Sequence, residues 1–382
     1  MLMASCSKNV EPSPSLDPDA WMYDETLPVP ISFGAASQPL TKGKAIEGLP
    51  DMVGKEFAFF AYHNAMTSFG VKADNGINGW TQNMIGECTL TPENKLQFDF
   101  EGGPYYYPQN STNNYTFYGY HAHTDQLYNN PDSMVVVVEV GHEDILWGEA
   151  VAESFTLGDG ENAVTYEGFN ARYIRKSIEK DGKARHPFME FKHLTSRLSI
   201  SAMTEKSQYV QENDGRDQVT ITKVSVINTA VKAFLCVAHR TDETAKARLT
   251  GAGMGNIESG NLSVLLTETS QDLLEGNDFF ILPGGEGSKI TLKIDFTVNS
   301  GDGSGKSYTT SSVYTLDPEI KADGELKGKH GFFPGLHYKY NFIVYTPERV
   351  VIEADVEDYV SAFGDADGDG VDDWQEITPD DE

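Results

Sequence analysis

The residues with the sharpest chemical spacing form the run Asp365-Ala-Asp367-Gly-Asp369-Gly370-Val371-Asp372-Asp373-Trp374-Gln375-Glu376. They fit a twelve-position calcium loop. Asp365, Asp367 and Asp369 stand at positions 1, 3 and 5, and Gly370 makes the sharp turn. The Val371 carbonyl is at 7, Asp373 at 9, and Glu376 is the bidentate ligand at 12. A hard cation takes six to eight oxygens at about 2.3–2.6 Å, and acids at alternate positions of a tightly turning chain converge on one point. Without an ion these charges repel one another. Only six residues follow Glu376, too few for the second helix of a full EF-hand. The expectation is a stand-alone Ca2+ loop that stiffens the tail; the alternative is a solvated acidic tail.

Other chemical patterns fail on inspection. Gly301-Asp-Gly-Ser-Gly-Lys306-Ser307 ends like a phosphate loop, but Ser300 stands where its first glycine belongs, and strand-like sequence follows. It reads as a hairpin connection. Gly251-Ala-Gly253-Met-Gly255 lacks dinucleotide-binding spacing and reads as a loop. His121 and His123 share one face of a strand, yet nothing supplies a third ligand, so ordinary surface or loop histidines are expected. No nucleophile lies near His193 or His337 in sequence, and no Gly-x-Ser-x-Gly or His-Glu-x-x-His motif occurs, so no enzyme activity is expected. Tyr105-Tyr106-Tyr107, with Tyr115, Phe117, Tyr118 and Tyr120, could stack on sugars, but aromatics at period 2 more often build a sandwich core. Cys88 and Cys236 could bridge; the favoured reading is two small buried side chains.

The elements that position these residues are strands. In Lys289–Val298, Ile290, Leu292, Ile294, Phe296 and Val298 take one face, and Lys289, Thr291, Lys293, Asp295 and Thr297 the other. That alternation defines a half-buried antiparallel strand. Leu198, Ile200 and Ala202 repeat it, as do Tyr338, Tyr340, Phe342 and Val344. Val219 and Ile221 fall out of phase with Val224 and Val226, which predicts a bulge near Thr222. Met134–Val138 is continuously apolar, as a strand buried on both faces would be. One short helix is expected over Ala171–Lys180, with Tyr173 or Ile174 and Ile178 inward. The polar stretch Lys180–Pro187 reads as a linker between two strand-rich halves. The fold class is all-β, built of antiparallel β-sandwiches.

The chain has 382 residues with 29 Lys+Arg against 58 Asp+Glu, a net charge of −29. So acidic a surface, with no basic stripe, repels phosphate backbones and excludes nucleic acid as a partner. No run approaches the ~20 apolar residues of a membrane-spanning helix. Near the N-terminus, Leu2-Met3-Ala4-Ser5-Cys6 looks like the end of a lipoprotein signal, with Cys6 the lipidated residue. Five residues precede Cys6, short of the ~7–15 apolar residues such a signal carries, so either the true start lies upstream or the match is fortuitous. Pro12, Pro14, Pro18, Pro28 and Pro30 make the following stretch an extended tether.

The order of several short stretches resembles the fimbrillins, the subunits of type V pili of anaerobic gut and oral bacteria, and their Mfa-like relatives. The likeness is carried by Ile31-Ser-Phe33-Gly, Phe57–Tyr62, Gly79-Trp80, Tyr105-Tyr-Tyr-Pro108 and Asn114–Tyr120. It continues through Phe191-Lys-His193-Leu-Thr-Ser-Arg-Leu198, Phe279–Pro283 and Pro334–Tyr340. The resemblance implies two tandem transthyretin-like sandwiches, over residues 31–185 and 186–360. Residues 1–30 are then the lipoprotein terminus and linker, and 361–382 the acidic calcium tail. It implies export to the outer membrane and cell surface, held to the membrane only through the lipid, and no enzyme activity. It also implies assembly with other pilus subunits by strand exchange, with a possible host or bacterial surface ligand. In such assembly a protease removes the first strand, here Ile31–Ser37, and a neighbour's strand fills the groove; Val350–Val360 is the closing or donated strand. Family cleavage follows a basic residue, often Arg, but the first Arg here is Arg172, so Lys42 and Lys44 are the candidate processing sites. The alternative function is a calcium-dependent carbohydrate-binding surface lipoprotein.

Overall fold

The structure is a computed structural model that describes residues 20–37, 53–63, 84–90, 96–101, 104–108, 113–129, 132–204, 217–301, 303–321, 325–346 and 349–358. Cys6, Lys42, Lys44 and the calcium-loop residues Asp365, Asp367, Asp369, Val371, Asp373 and Glu376 lie outside them. In chain order the strands are β1 (Gly34–Ser37), β2 (Glu56–His63), β3 (Met84–Leu90), β4 (Leu96–Phe100), β5 (Tyr115–His121), β6 (Thr124–Asn129), β7 (Ser133–Glu139), β8 (Leu146–Ala150), β9 (Phe155–Leu157) and β10 (Val164–Tyr166). The one α-helix among the described residues, α1 (Ala171–Asp181), follows. Then come β11 (Phe188–His193), β12 (Ser196–Met203), β13 (Gln218–His239), β14 (Arg248–Glu258), β15 (Val264–Leu265), β16 (Gln271–Asp272), β17 (Phe279–Ile281), β18 (Gly285–Glu286), β19 (Ile290–Asn299), β20 (Ser307–Leu316), β21 (Gly331–Phe332), β22 (Leu336–Thr346) and β23 (Arg349–Asp358).

The fold is all-β. A first sheet runs β1-β11-β8-β5-β2-β3-β4. Its central strands are apolar on both faces because both faces are covered. Phe57, Phe59 and Phe117 point into one core, while Phe60, Tyr118 and Tyr120 point into another. The second sheet runs β20-β19-β13-β7-β6, with β14 and β15 also on β13. Met134, Val136 and Val138 of β7 and Leu235 and Val237 of β13 meet the back of the first sheet. A third sheet, β16-β12-β22-β23 with β17 on β12, packs against the other part of the second sheet. There Leu198, Ile200, Tyr338 and Phe342 face Ile221, Val224, Leu292 and Ile294.

One strand thus serves both packings. β13 gives Ile221, Val224 and Val226 to one core and Ala233, Leu235 and Val237 to the other. Two devices keep its phase. The register against β19 slips between Ile221 and Lys223, which places the bulge at Thr222. Further along, Asn228 takes φ 54°, a left-handed conformation that Asn tolerates better than a β-branched residue. The hydrogen bonding also runs across residue 186, since β11 pairs with β8 inside the first sheet.

Two pairings depart from an antiparallel pattern: β1 lies parallel to β11, and β12 parallel to β22. Gly251, Gly253 and Gly255 form not a loop but β14, whose backbone pairs with β13 through several register shifts. Glycine-rich sequence mimics a loop; the partner strand supplies the order that its own side chains do not. Gly301–Ser307 is the β19–β20 connection expected of it. α1 begins at Asn170, whose side chain accepts from the Tyr173 amide, and stops at Gly182 with φ 75°. Cys88 and Cys236 are free thiols, the first buried and the second half-buried, and burial raises the Cys88 pKa to about 12.

Close packing makes Gly119 on β5 intolerant of a side chain. A Cβ there would sit 2.8 Å from Met189 Cε and 3.0 Å from ring carbons of Phe59. At Gly251 on the exposed β14 the nearest contacts are an ordinary 3.5–3.6 Å. Chemical denaturation should show Gly119→Ala losing about 1–3 kcal/mol, while Gly251→Ala stays within about 0.5 kcal/mol of the parent.

Candidate functional site

The N-terminal segment carries apolar residues at Val29, Ile31 and Phe33, with Pro28 and Pro30 fixing an extended backbone between and before them. The alternation is realised: the three side chains are 0%, 3% and 4% exposed. Phe33 stacks on Phe59 at 4.7 Å and meets Phe117 and Phe100 edge-on at 5.0 and 5.8 Å. Hydrogen bonds fix the register. Ile31 N donates to the Tyr105 carbonyl (2.8 Å), Tyr107 N to the Val29 carbonyl (2.9 Å), and Gly34 N to the Pro187 carbonyl (3.0 Å). Pro30, lacking an N–H, bridges opposite Tyr106 and wastes no donor. From Gly34 the chain continues as β1, pairing in parallel with Phe188–Phe191 at the rim of the first sheet. An added Cβ at Gly34 would lie 3.0 Å from the exposed Phe188 ring, which would have to shift to accept it.

Burying Val29, Ile31 and Phe33 is worth about 1.5–3 kcal/mol per side chain, whereas each backbone hydrogen bond nets only about 0.5–1.5 kcal/mol. Side-chain insertion therefore dominates, and losing the segment would open a groove lined by Phe59, Phe100, Phe117 and Tyr107.

A second set of contacts, invisible in the sequence, holds the segment upstream. Arg175 on α1 donates from Nε to the Trp21 carbonyl (3.1 Å) and from Nη2 to the carbonyls of Asp24 (3.2 Å) and Leu27 (2.5 Å). Desolvation pulls its pKa down, against the charges of Glu25 and Asp24. Trp21 is buried edge-on to His186 at 6.0 Å, and Asp24 turns the chain by accepting from the amide and hydroxyl of Thr26. One guanidinium thus gathers three carbonyls of the stretch Trp21–Leu27, of which that of Asp24 also accepts from the Leu27 amide at 3.2 Å.

The expected closing strand lies at the edge of the third sheet. β23 pairs with β22 from Arg349 to Asp358. Val350 and Ile352 are half-buried, Val351 is exposed, and of its described side chains only Val356 is buried. This edge strand is held mainly by its backbone, in contrast to the deeply inserted N-terminal one.

The remaining sequence candidates resolve as structural. Tyr107, Tyr115, Phe117, Tyr118 and Tyr120 are core; only Tyr106 of the run is exposed. The sugar-stacking platform of the alternative function is therefore reduced to one ring. His121 is buried against Phe57, with Nδ1 at 2.7 Å from the Glu56 carbonyl and Nε2 at 3.2 Å from Glu143. His123 is exposed. Among the described residues, no three metal-ligating side chains cluster.

Two buried polar clusters gather around the end of β11 and the start of β12. Asp144 bonds His193 Nδ1 (2.5 Å) and the Thr195 hydroxyl (2.7 Å). Asp278 binds fully buried Arg197 through Nε at 2.6 Å and the Ser199 hydroxyl at 2.8 Å. Ser199 Oγ also lies 2.6 Å from His337 Nε2. This has the composition of a Ser-His-Asp site but not its geometry. Asp278 engages Ser199 and Arg197, and sits 4.0 Å from the same His337 nitrogen that faces the serine. Burial, with Arg197 and Lys339 nearby, pushes the His337 pKa down to about 3, far from that of a base at neutral pH.

No family model and no curated protein matches the chain. Its fold is similar to several solved structures. One is a putative cell adhesion protein from Bacteroides uniformis, with 16% identity and a TM-score of 0.43, over 87% of this chain and 98% of that one. A fimbrial protein from Bacteroides vulgatus has 11% identity and a TM-score of 0.46, over 87% and 99%. The tip fimbrial protein Mfa3 from Porphyromonas gingivalis, with a C-terminal truncation, has 8% identity and a TM-score of 0.33, over 86% and 99%.

If Arg175 fastens the segment, Arg175→Met should lower stability by about 1–3 kcal/mol. Hydrogen exchange should quicken at the Ile31, Gly34 and Tyr107 amides and stay unchanged at Leu292 and Ile294. Uniform exchange across both sets would show that Arg175 does not act on the segment.

Proposed function

We propose that this chain is a structural or accessory subunit of a cell-surface pilus that couples to its neighbours by exchanging the N-terminal strand. The observation that carries the reading is the rim position of Val29–Ser37: three apolar side chains fully inserted, yet, among the described residues, held by main-chain pairing only through the short β1–β11 ladder and the isolated bridge at Tyr106. Cutting at Lys42 or Lys44, beyond Ser37, leaves the segment joined to the body by non-covalent contacts alone. A strand with apolar residues at alternate positions then fills the groove by β-augmentation: main-chain hydrogen bonds give strength and the inserted side chains set register. β23, with its thin side-chain anchorage, is the segment suited to being donated. Lipidation at Cys6 and a surface location complete the proposal.

Limited lysine-specific proteolysis of the purified chain should yield, over time, a ladder of oligomers on unheated denaturing gels. A trimmed monomer that never oligomerises would falsify polymerisation by this route.

The proposal extends to Ca2+ in the Asp365–Glu376 loop, as a brace for the tail rather than a catalyst. Trp374 lies inside the loop and can sensitise bound terbium. Terbium emission should appear on titration, be displaced by calcium at around 10⁻⁴–10⁻³ M, and vanish in Glu376→Gln. Equal emission from that variant would mean the loop is not the site.

A further inference from the structure

β20 is the outermost strand of the second sheet, and among the described residues no strand pairs with its outer edge. Its ten residues, Ser307 to Leu316, pair with β19 without a register shift. They include no charge, proline or bulge, the devices by which proteins blunt exposed edges. The other long terminal strand, β23, carries Arg349, Glu353, Asp355, Glu357 and Asp358. On β20 the solvent face is Ser307, Thr309, Ser311, Val313 and Thr315, all exposed, with Val313 at 58%. Tyr308, on the other face, is half exposed.

We infer that this edge is a docking surface for the same edge of a second copy of the chain, the two β20 strands running antiparallel about a twofold axis at Ser311. Three physical features select that occupant. First, at a net charge of −29 two copies repel over most of their surface, and a long neutral edge is where backbone can approach backbone. Second, charge at the strand ends does not oppose the approach: Asp317, which follows the strand, is already neutralised by Lys289 of its own chain at 2.6 Å, and exposed Lys306, which precedes it, approaches a copy of strongly negative net charge. Third, with Ser311 opposite itself, side chains match on each face. Ser307 meets Thr315 and Thr309 meets Val313 on the solvent side, while Tyr308 meets Tyr314 on the other, the cross-strand pairs that stabilise sheets. The contact joins two second sheets into one, and it uses no residue of the N-terminal groove. Copies could therefore associate laterally, independently of strand exchange.

The test is sedimentation velocity on the full, unprocessed chain across a concentration series. A reversible dimer is expected. Val313→Lys, on the solvent face and outside the core, should reduce it to monomer, and Lys306→Glu should weaken it roughly tenfold, both with unchanged melting temperature. Ser311→Cys, in a Cys6→Ser, Cys236→Ser background, should form a disulfide-linked dimer under mild oxidation. A chain monomeric at every concentration, or a dimer indifferent to Val313→Lys, overturns the inference. Because the chain is uncut, neither result depends on the proteolytic ladder.

Discussion

Phe33 is gripped by Phe59, Phe100 and Phe117 while its backbone sits at the rim of a sheet. That combination is the constraint on which the functional reading rests. A strand in the middle of a sheet cannot leave without breaking two ladders, and a strand with no inserted side chains has nothing to leave behind. Here the segment has one parallel ladder four residues long, an isolated bridge at Tyr106, and a set of apolar side chains whose removal exposes a core. Parallel pairing is slightly weaker per residue than antiparallel, so the hold is hydrophobic first and main-chain second.

In the proposed exchange the rest of the molecule must stay rigid while that rim changes hands. β13 does much of this by running through both packings, so that neither can shift without straining the other. Trp147 Nε1 donates to the Val237 carbonyl at 2.8 Å and ties the first sheet to the second. Lys246 bridges Glu149 at 2.8 Å, with its ammonium over the Tyr118 ring. In the buried Arg197–Asp278 pair desolvation offsets much of the attraction, and removing either partner would leave a buried charge uncompensated.

The acidic surface and the edges form one problem. Self-repulsion protects most of the protein from indiscriminate association, and β23 adds its own charges at its edge. β20 has no such protection, and that asymmetry gives an otherwise featureless Ser/Thr strand its meaning.

What the sequence determined alone were the local periodicities. The alternation of Lys289–Val298 became β19, the phase slip at Thr222 became a bulge, the Ala171–Lys180 segment became α1, and most of the tyrosine run became core. Each follows from the two-residue and 3.6-residue repeats of the backbone, which every residue reports through its neighbours. Only the tertiary structure decided what depends on a distant partner. It made Gly251–Gly255 a strand because β13 lies beside it, and it made β1 parallel to β11 and β12 parallel to β22. It brought Arg175 to carbonyls some 150 positions away, and it brought Ser199, Asp278 and His337 together without the alignment of a catalytic site. Hydrogen-bond partners and buried charges are chosen by where the chain folds back, and a linear pattern holds no record of that.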